Sequence, residues 1–359
     1  VFGGAPTITD NIVSGNIACN GGGLYLQATA ALVRDNHIVE NGPNGCTGGR
    51  GGGIYLGAEP SSGAATVAKN VIEGNLSNLV GGITVNSAGA ALIDSNRIVG
   101  NFTQSANGIG SLDVANYSPI TFVNNIVDGN GGSRDVDLTI ASSNPGITIA
   151  HNTFIGSPSH AATIDMSYFS DSSRITSNIF SNSPVGIHCP YEADPTTIAR
   201  IDHNLFTGVA ATGDCAGAGV GDGNALSNVF LDPNYQISGG SGSAVDAAAT
   251  DTGVSADYAD VTRIGVAPDM GALEWTGTTG DIVADAGPDQ TFEWAPGLEV
   301  VLDASGSSHP YGEFLYYTWN NTAFVTIAEG ERAIASFPEP GVYEIDLVVT
   351  DTSSDFETD

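Results

Sequence analysis

Five residues in the middle of the chain have the types and spacing to act together. Arg174 and Arg200 each stand four residues before an Asn, at 178 and 204, and Asp202 follows Arg200 by two. His151 and His203 each stand directly before an Asn, at 152 and 204. An imidazole titrates near neutrality and can take a proton, while guanidinium groups can neutralise a substrate carboxylate. These are the parts needed to hold and deprotonate an acidic sugar, so His151, Arg174, Arg200, Asp202 and His203 form the candidate catalytic set. The competing reading is that all five are scattered outward side chains, with Asp202 neutralising Arg200.

Whether they meet depends on the frame that carries them. Asp35-Asn36-His37-Ile38-Val39-Glu40-Asn41 returns in related forms along two thirds of the chain. Its first Asn recurs at Asn11, Asn36, Asn70, Asn96, Asn125, Asn152, Asn178 and Asn204, in steps of 25, 34, 26, 29, 27, 26 and 26. A period in the twenties marks a solenoid. Three residues before each Asn, and again two after it, stands an apolar residue, mostly β-branched or aromatic, as in Ile93 and Ile98 around Asn96. The runs are too short and too rich in Gly and Asn for helices. Each repeat therefore reads as one coil of short strands, and the recurrent Asn as a ladder that turns a corner while pairing its own amides. On that frame Arg174 and Arg200 stack on adjacent coils. His151 and His203 lie two coils apart, about 10 Å.

These repeats resemble the right-handed parallel β-helix, or pectin-lyase-like, family over roughly residues 5–219. The resemblance implies an all-β fold but not one activity, since that fold hosts lyases, hydrolases, epimerases, tailspikes and adhesins. Glycine triplets such as Gly51-Gly52-Gly53 turn into strands and do not read as phosphate loops, because no helix or Lys-Ser/Thr follows. The longest step carries an insertion, Gly42 to Arg50, that forms a lateral loop.

Beyond residue 220 the repeat fades. Asn228–Ile237, Gly242–Ala247 and Asp269-Met270-Gly271-Ala272-Leu273-Glu274 resemble the tail of surface β-helix proteins in the choice-of-anchor family. Asp269–Glu274 departs at two places from that family's Asp-Ile-Gly-Ala-Tyr-Glu. Residues 220–279 are expected to cap the open edge of the last coil. After the polar linker Thr276–Gly280, Gly287-Pro288-Asp289-Gln290, Val301–Ser308, Tyr317-Thr318-Trp319 and Leu347–Asp351 resemble a PKD domain, an Ig-like β-sandwich, over 280–359. That resemblance implies Trp319 as the core aromatic and a spacer or contact module on an extracellular protein. An Asp expected in its acidic loop is His309 here.

Nine Lys and Arg stand against 40 Asp and Glu, a net charge of −31. Nucleic acid is excluded as a partner, and an anionic membrane surface is disfavoured. No run of 18 apolar residues occurs, so no membrane insertion is expected in this segment, and no signal peptide is visible. Both ends read as cuts in a longer polypeptide, the first falling inside a coil-like pattern. Cys189 and Cys215 each lie 11 residues after a ladder Asn on consecutive coils, and Cys19 and Cys46 also fall on consecutive coils. Strands about 4.8 Å apart place such pairs within disulfide range. Two disulfides imply an oxidising, extracellular or cell-surface location.

No cofactor is required. Ca²⁺ is the ion that Asp135, Asp137, Asp303 or Glu313 could hold. Asn75 and Asn101 are sequons turned inward on a second Asn position, so Asn116 and Asn320 are the candidate glycosylation acceptors. The expected function is a non-catalytic structural or adhesive protein of the matrix, surface or a filament. Its expected partners are extracellular glycans, other surface proteins or further copies of itself. The alternative is a polysaccharide-lyase-like enzyme acting on an acidic polysaccharide.

Overall fold

Each coil turns where one residue takes a left-handed backbone conformation and an Asn follows it. In the computed structural model Asp10, Asp35, Lys69, Ser95, Asn124, His151, Ser177 and His203 have φ between 51° and 61°, and each directly precedes a ladder Asn. Such a φ costs an L-residue about 1–2 kcal/mol. The Asn amide offsets it. Asn125 Nδ2 donates to the carbonyls of Val123 at 2.8 Å and Ile93 at 2.9 Å, and to Asn152 Oδ1 at 3.1 Å. Its Oδ1 accepts from the backbone N–H of Asn96 at 2.9 Å and from Asn96 Nδ2 at 3.0 Å. The ladder runs through all eight expected positions, from Asn11 to Asn204, and on to Asn224. A second ladder joins Asn16, Asn41, Asn75, Asn101 and Asn130. These follow left-handed Gly15, Glu40, Gly74, Gly100 and Gly129.

The structure describes residues 1–358 apart from 28–29, 44, 58–63, 87–89, 106–107, 116–118, 133–135, 141–146, 160, 168–172, 192–199, 208–209, 214–218, 221–222, 227–229, 232–233, 239–242, 264–266, 276–282, 309–314, 324 and 351–355. Among them no α-helix occurs. The bends separate three parallel sheets. Sheet one holds nine strands, from Thr7–Thr9 to Gly219–Val220, each ahead of the first Asn bend. Sheet two holds nine, from Ile12–Ser14 to Ala225–Leu226, each after it. Sheet three holds eight, from Leu24–Gln27 to Ala210–Gly213. Residues 7–226 thus form a parallel β-solenoid. Its coils continue to Leu226, past the expected end at 219, because Asn224 adds a rung that the spacing of 20 from Asn204 had hidden.

Period-two alternation sends one side of every strand inward. Val33, Val67, Ile93, Phe122, Ile149, Ile175 and Ile201 stack in register from sheet one, all but fully buried. From sheet two, Phe154, Phe180 and Phe206 stack with ring centroids 5.1 and 5.0 Å apart. Burying each such ring contributes about 2–3 kcal/mol. Glycines let the corners close. A Cβ on Gly52 would lie 2.6 Å from the carbonyl oxygens of both Gly81 and Leu76.

The chain divides into two compact units, the first comprising Val1–Val229, Pro233–Gln236 and Ser243–Trp275. The second comprises Phe230–Asp232, Ile237–Gly242 and Thr276–Asp359. Its strands are all antiparallel, with Glu299–Asp303 against Arg332–Ser336, and Tyr316–Asn321 between Thr326–Glu329 and Ile345–Thr350. Both sheets feed one core, in which Trp319 packs with Val300, Leu302, Ala335, Leu347 and Val349. Trp319 Nε1 donates to the Gly330 carbonyl at 3.0 Å.

Candidate functional site

The described part of the closing segment from 244 to 274 lies along the flank of the solenoid and attaches at the left-handed bend residues. Lys69 pairs with Asp260. Asn124 donates to the Ala256 carbonyl at 3.0 Å and accepts from Arg263 Nη2 at 2.8 Å. His151 meets the Asp269 carbonyl at 3.1 Å and Thr252 Oγ1 at 3.0 Å. Ser177 Oγ accepts from Ala249 N, and the Ser177 carbonyl accepts from Gly271 N at 2.9 Å. The residue before each ladder Asn differs from coil to coil, and four of these residues hold the segment as a strap. Gly271, at φ 91°, comes so close that a Cβ would sit 2.6 Å from Ile179 Cδ1. This close approach is what the Gly of Asp269–Glu274 supplies.

The strap is held by buried charge. Arg263 Nη1 donates to Glu274 Oε2 at 3.0 Å and to the Asp269 carbonyl at 3.2 Å. Its Nη2 donates to the Gly271 carbonyl at 2.9 Å. Asp257 Oδ2 accepts from Glu274 N at 2.7 Å, and Asp269 accepts from Asp246 N at 2.7 Å and Trp275 N at 2.5 Å. Burial pushes the Asp269 carboxyl up to about 6, against the two backbone N–H groups that favour its charged form.

The five sequence candidates do come close together, but not as an open groove. Arg174 and Arg200 are register partners on adjacent coils, as are Thr176 and Asp202. Both guanidinium groups bind Asp251 of the strap, Arg200 Nη1 at 3.0 Å. The hydrogen bond from Arg174, opposed by burial and supported by Arg200, lowers the Asp251 carboxyl to about 2. Asp202 is buried, not outward, and takes Arg200 Nε and the Thr176 hydroxyl, the latter at 2.6 Å. His203 Nδ1 lies 3.4 Å from Asp202. His151 is fully buried beneath the strap. Burial first, then Arg263, pushes its imidazole well below its ordinary value. A neutral, covered imidazole cannot reach a polymer in solvent. Between strap and sheet one remains an open cleft of about 390 Å³, with Thr121, Thr148, Asp94, Lys69, Asp257 and Asp260 on its walls.

Among the described residues no group of three or more His, Cys, Asp or Glu is placed to hold a metal ion. Asp303 pairs with Arg332 at 2.8 Å and accepts from Ser305 N at 3.0 Å. Asp135 and Glu313 lie outside the described residues, as does the side chain of Asp137. Cys19 and Cys46 form a disulfide with Cα atoms 5.5 Å apart. Cys189 is also disulfide-bonded, and Cys215 lies outside the described residues. Asn320 is half-buried on its strand and accepts from Thr326 Oγ1 at 3.0 Å, whereas Asn116 lies outside the described residues. No helix among the described residues is long and apolar enough to cross a membrane.

Sequence reasoning missed a second polar set, on the face of sheet three away from the core. One register position there reads Thr84, Asp113, Thr139, Asp165 and His188 on successive coils. Their neighbours Val85, Leu112, Leu138, Ile164 and Ile187 belong to the core, so the row lies on the opposite face of the sheet, where Thr84, Asp113, Thr139 and Asp165 are nonetheless buried. Arg50 Nη1 reaches Asp113 at 2.5 Å, and His188 Nδ1 lies 3.6 Å from Asp165. The available signal was the alignment of polar residues at the middle of the strands that follow the Gly-Gly turns. Comparison of the chain with protein-family models, with curated proteins and with solved structures returns no match.

Proposed function

We propose that this chain is a non-catalytic structural or adhesive module of a secreted or cell-surface protein. In this reading its solenoid is a right-handed, pectin-lyase-like β-helix, its strap a segment of the choice-of-anchor kind, and its second unit a PKD-like sandwich. The observation that carries the reading is the double engagement of Asp251 by Arg174 and Arg200. The cations that would neutralise a uronate are occupied by the chain's own strap, and the nearby His151 is sealed beneath it. The Cys19–Cys46 bridge supports an oxidising location. The low content of basic residues favours partners that are not polyanions. The test incubates the full chain with polygalacturonate and alginate, with and without Ca²⁺, and follows the ultraviolet absorbance of unsaturated products. No rise above the buffer control is expected. A sustained, enzyme-dependent rise would replace this reading with the lyase alternative.

A further inference from the structure

The strap passes five consecutive bend residues, Lys69, Ser95, Asn124, His151 and Ser177, and fastens to four of them. Ser95 is passed over. Its hydroxyl turns instead to its own neighbour, Asp94, at 2.8 Å. Between Ala256, held at Asn124, and Asp260, held at Lys69, the strap therefore crosses two coils without a fastening. The open cleft of about 390 Å³ lies there, with Ser95 in its wall. That volume falls at the small end of small-molecule sites, about 300–1,000 Å³. Its floor is the outer face of sheet one, where Leu92, Thr121 and Thr148 are register partners on three successive coils. The two threonines stand one coil step apart, about 5 Å. Asp94 lies two residues beyond Leu92 on the same face.

Four charged side chains line this cleft, and the chain itself answers three of them. Lys69 pairs with Asp260. Asp257 accepts from the N–H groups of Ala259 and Val261 at 2.8 Å and of Glu274 at 2.7 Å. Asp94 receives only two neutral donors, Ser95 Oγ at 2.8 Å and Asn124 Nδ2 at 3.2 Å. Among the described residues no Lys, Arg or His pairs with it. We propose that the cleft binds a small, hydroxylated primary amine, an amino sugar or amino alcohol as a free molecule, with its ammonium on Asp94. An ammonium gives that carboxylate a charge-assisted hydrogen bond, about twice as strong as a neutral one. The hydroxyls of Thr121 and Thr148 donate to ligand hydroxyls or accept from them. Leu92 and Val254 meet the carbon skeleton. A neutral sugar would suit the same threonines but leave Asp94 without a cation. An anion would meet Asp94 as well as the net charge of −31. The proposal goes beyond the structural reading above and stands or falls separately from it.

The test is titration calorimetry of the full chain at about pH 6, where amines are protonated, with glucosamine, ethanolamine, glucose, glucuronate and the linear trimer of glucosamine. At least one of the two small amines is expected to bind, and glucose and glucuronate about tenfold more weakly or less. Amine affinity should fall with rising salt. These comparisons need no variant. Asp94→Asn keeps an oxygen for Ser95 and Asn124, so its melting temperature should change little, while its amine affinity should fall about tenfold, to the level of glucose. Thr148→Val should weaken glucosamine and glucose alike, by about three- to fivefold. An Asp94 that only supports the strap would give a lower melting temperature and an unchanged preference for amines. The proposal falls if neither small amine binds, if glucose or glucuronate binds as well as they do, or if Asp94→Asn keeps the preference. Tighter binding of the trimer than of glucosamine would overturn the assignment to a free small molecule.

Discussion

Arg263 and Glu274 form an ion pair at 3.0 Å with 1% and 2% of their side chains exposed. Both belong to the strap, and the same guanidinium reaches across to Asn124 on the solenoid. One buried cation therefore ties the strap to itself and to a coil.

Removing that cation leaves Glu274 buried and without its charged partner. Arg263→Met should cost about 3–5 kcal/mol in chemical denaturation of the first unit. The double variant Arg263→Met/Glu274→Leu should lose less, because no lone charge remains inside. A single variant within about 1 kcal/mol of the parent would show that the pair is not what fastens the strap.

Asp269 gives a pH signature. Its carboxyl is raised to about 6 in the fold and titrates near 4 when unfolded. The folded state therefore holds the proton more tightly. Stability from this group is present below pH about 4 and declines as pH rises to about 6, by up to ~3 kcal/mol. Asp269→Asn removes the titration, so the stability of the parent relative to the variant should fall between pH 4 and pH 7. A pH-independent difference would place the titration elsewhere.

The ladders make position matter within one residue type. Asn125 sits mid-ladder and accepts from two donors of Asn96 while giving three bonds of its own. Asn16 opens the second ladder and is exposed. Asn125→Ala should cost roughly 2–4 kcal/mol, since several buried groups lose partners, and Asn16→Ala under about 1. Equal losses in urea melts would argue that the rungs act through bend propensity rather than through their amide bonds.

Sequence periodicity carried the solenoid because inward side chains must stack in register, and one slip would turn all of them outward. Ile93, Phe122 and Ile149 could be read that way, and so could the eight Asn rungs. The strap could not. Its partners Lys69, Asn124, His151 and Ser177 share a backbone conformation and not a residue type, so nothing in their spelling marks them as one docking line. His151 looked like a base for the same reason: a sequence shows that an imidazole is present but not what lies over it. The row from Thr84 to His188 was hidden differently. Its residues are ordinary strand formers and acids, and only the register of sheet three brings them into line.

Asp251 is the negative group that occupies Arg174 and Arg200. Asp251→Ala should give the chain weak, salt-sensitive affinity for polygalacturonate that the parent lacks. Retention on an anionic resin at low ionic strength, compared with the parent, would measure it. Identical elution would mean that Asp202 alone keeps both guanidinium groups engaged.

A stack of coils ordinarily senses only nearest neighbours, so it can fray from an end one coil at a time. The strap changes that. One short segment is fastened to Lys69, Asn124, His151 and Ser177 at once. Opening any of these coils pulls on bonds that belong to the others, so the middle of the solenoid should open as a single cooperative block. The coils before Lys69 stand outside that arrangement and keep the freedom to peel, with the Cys19–Cys46 bridge as their own restraint.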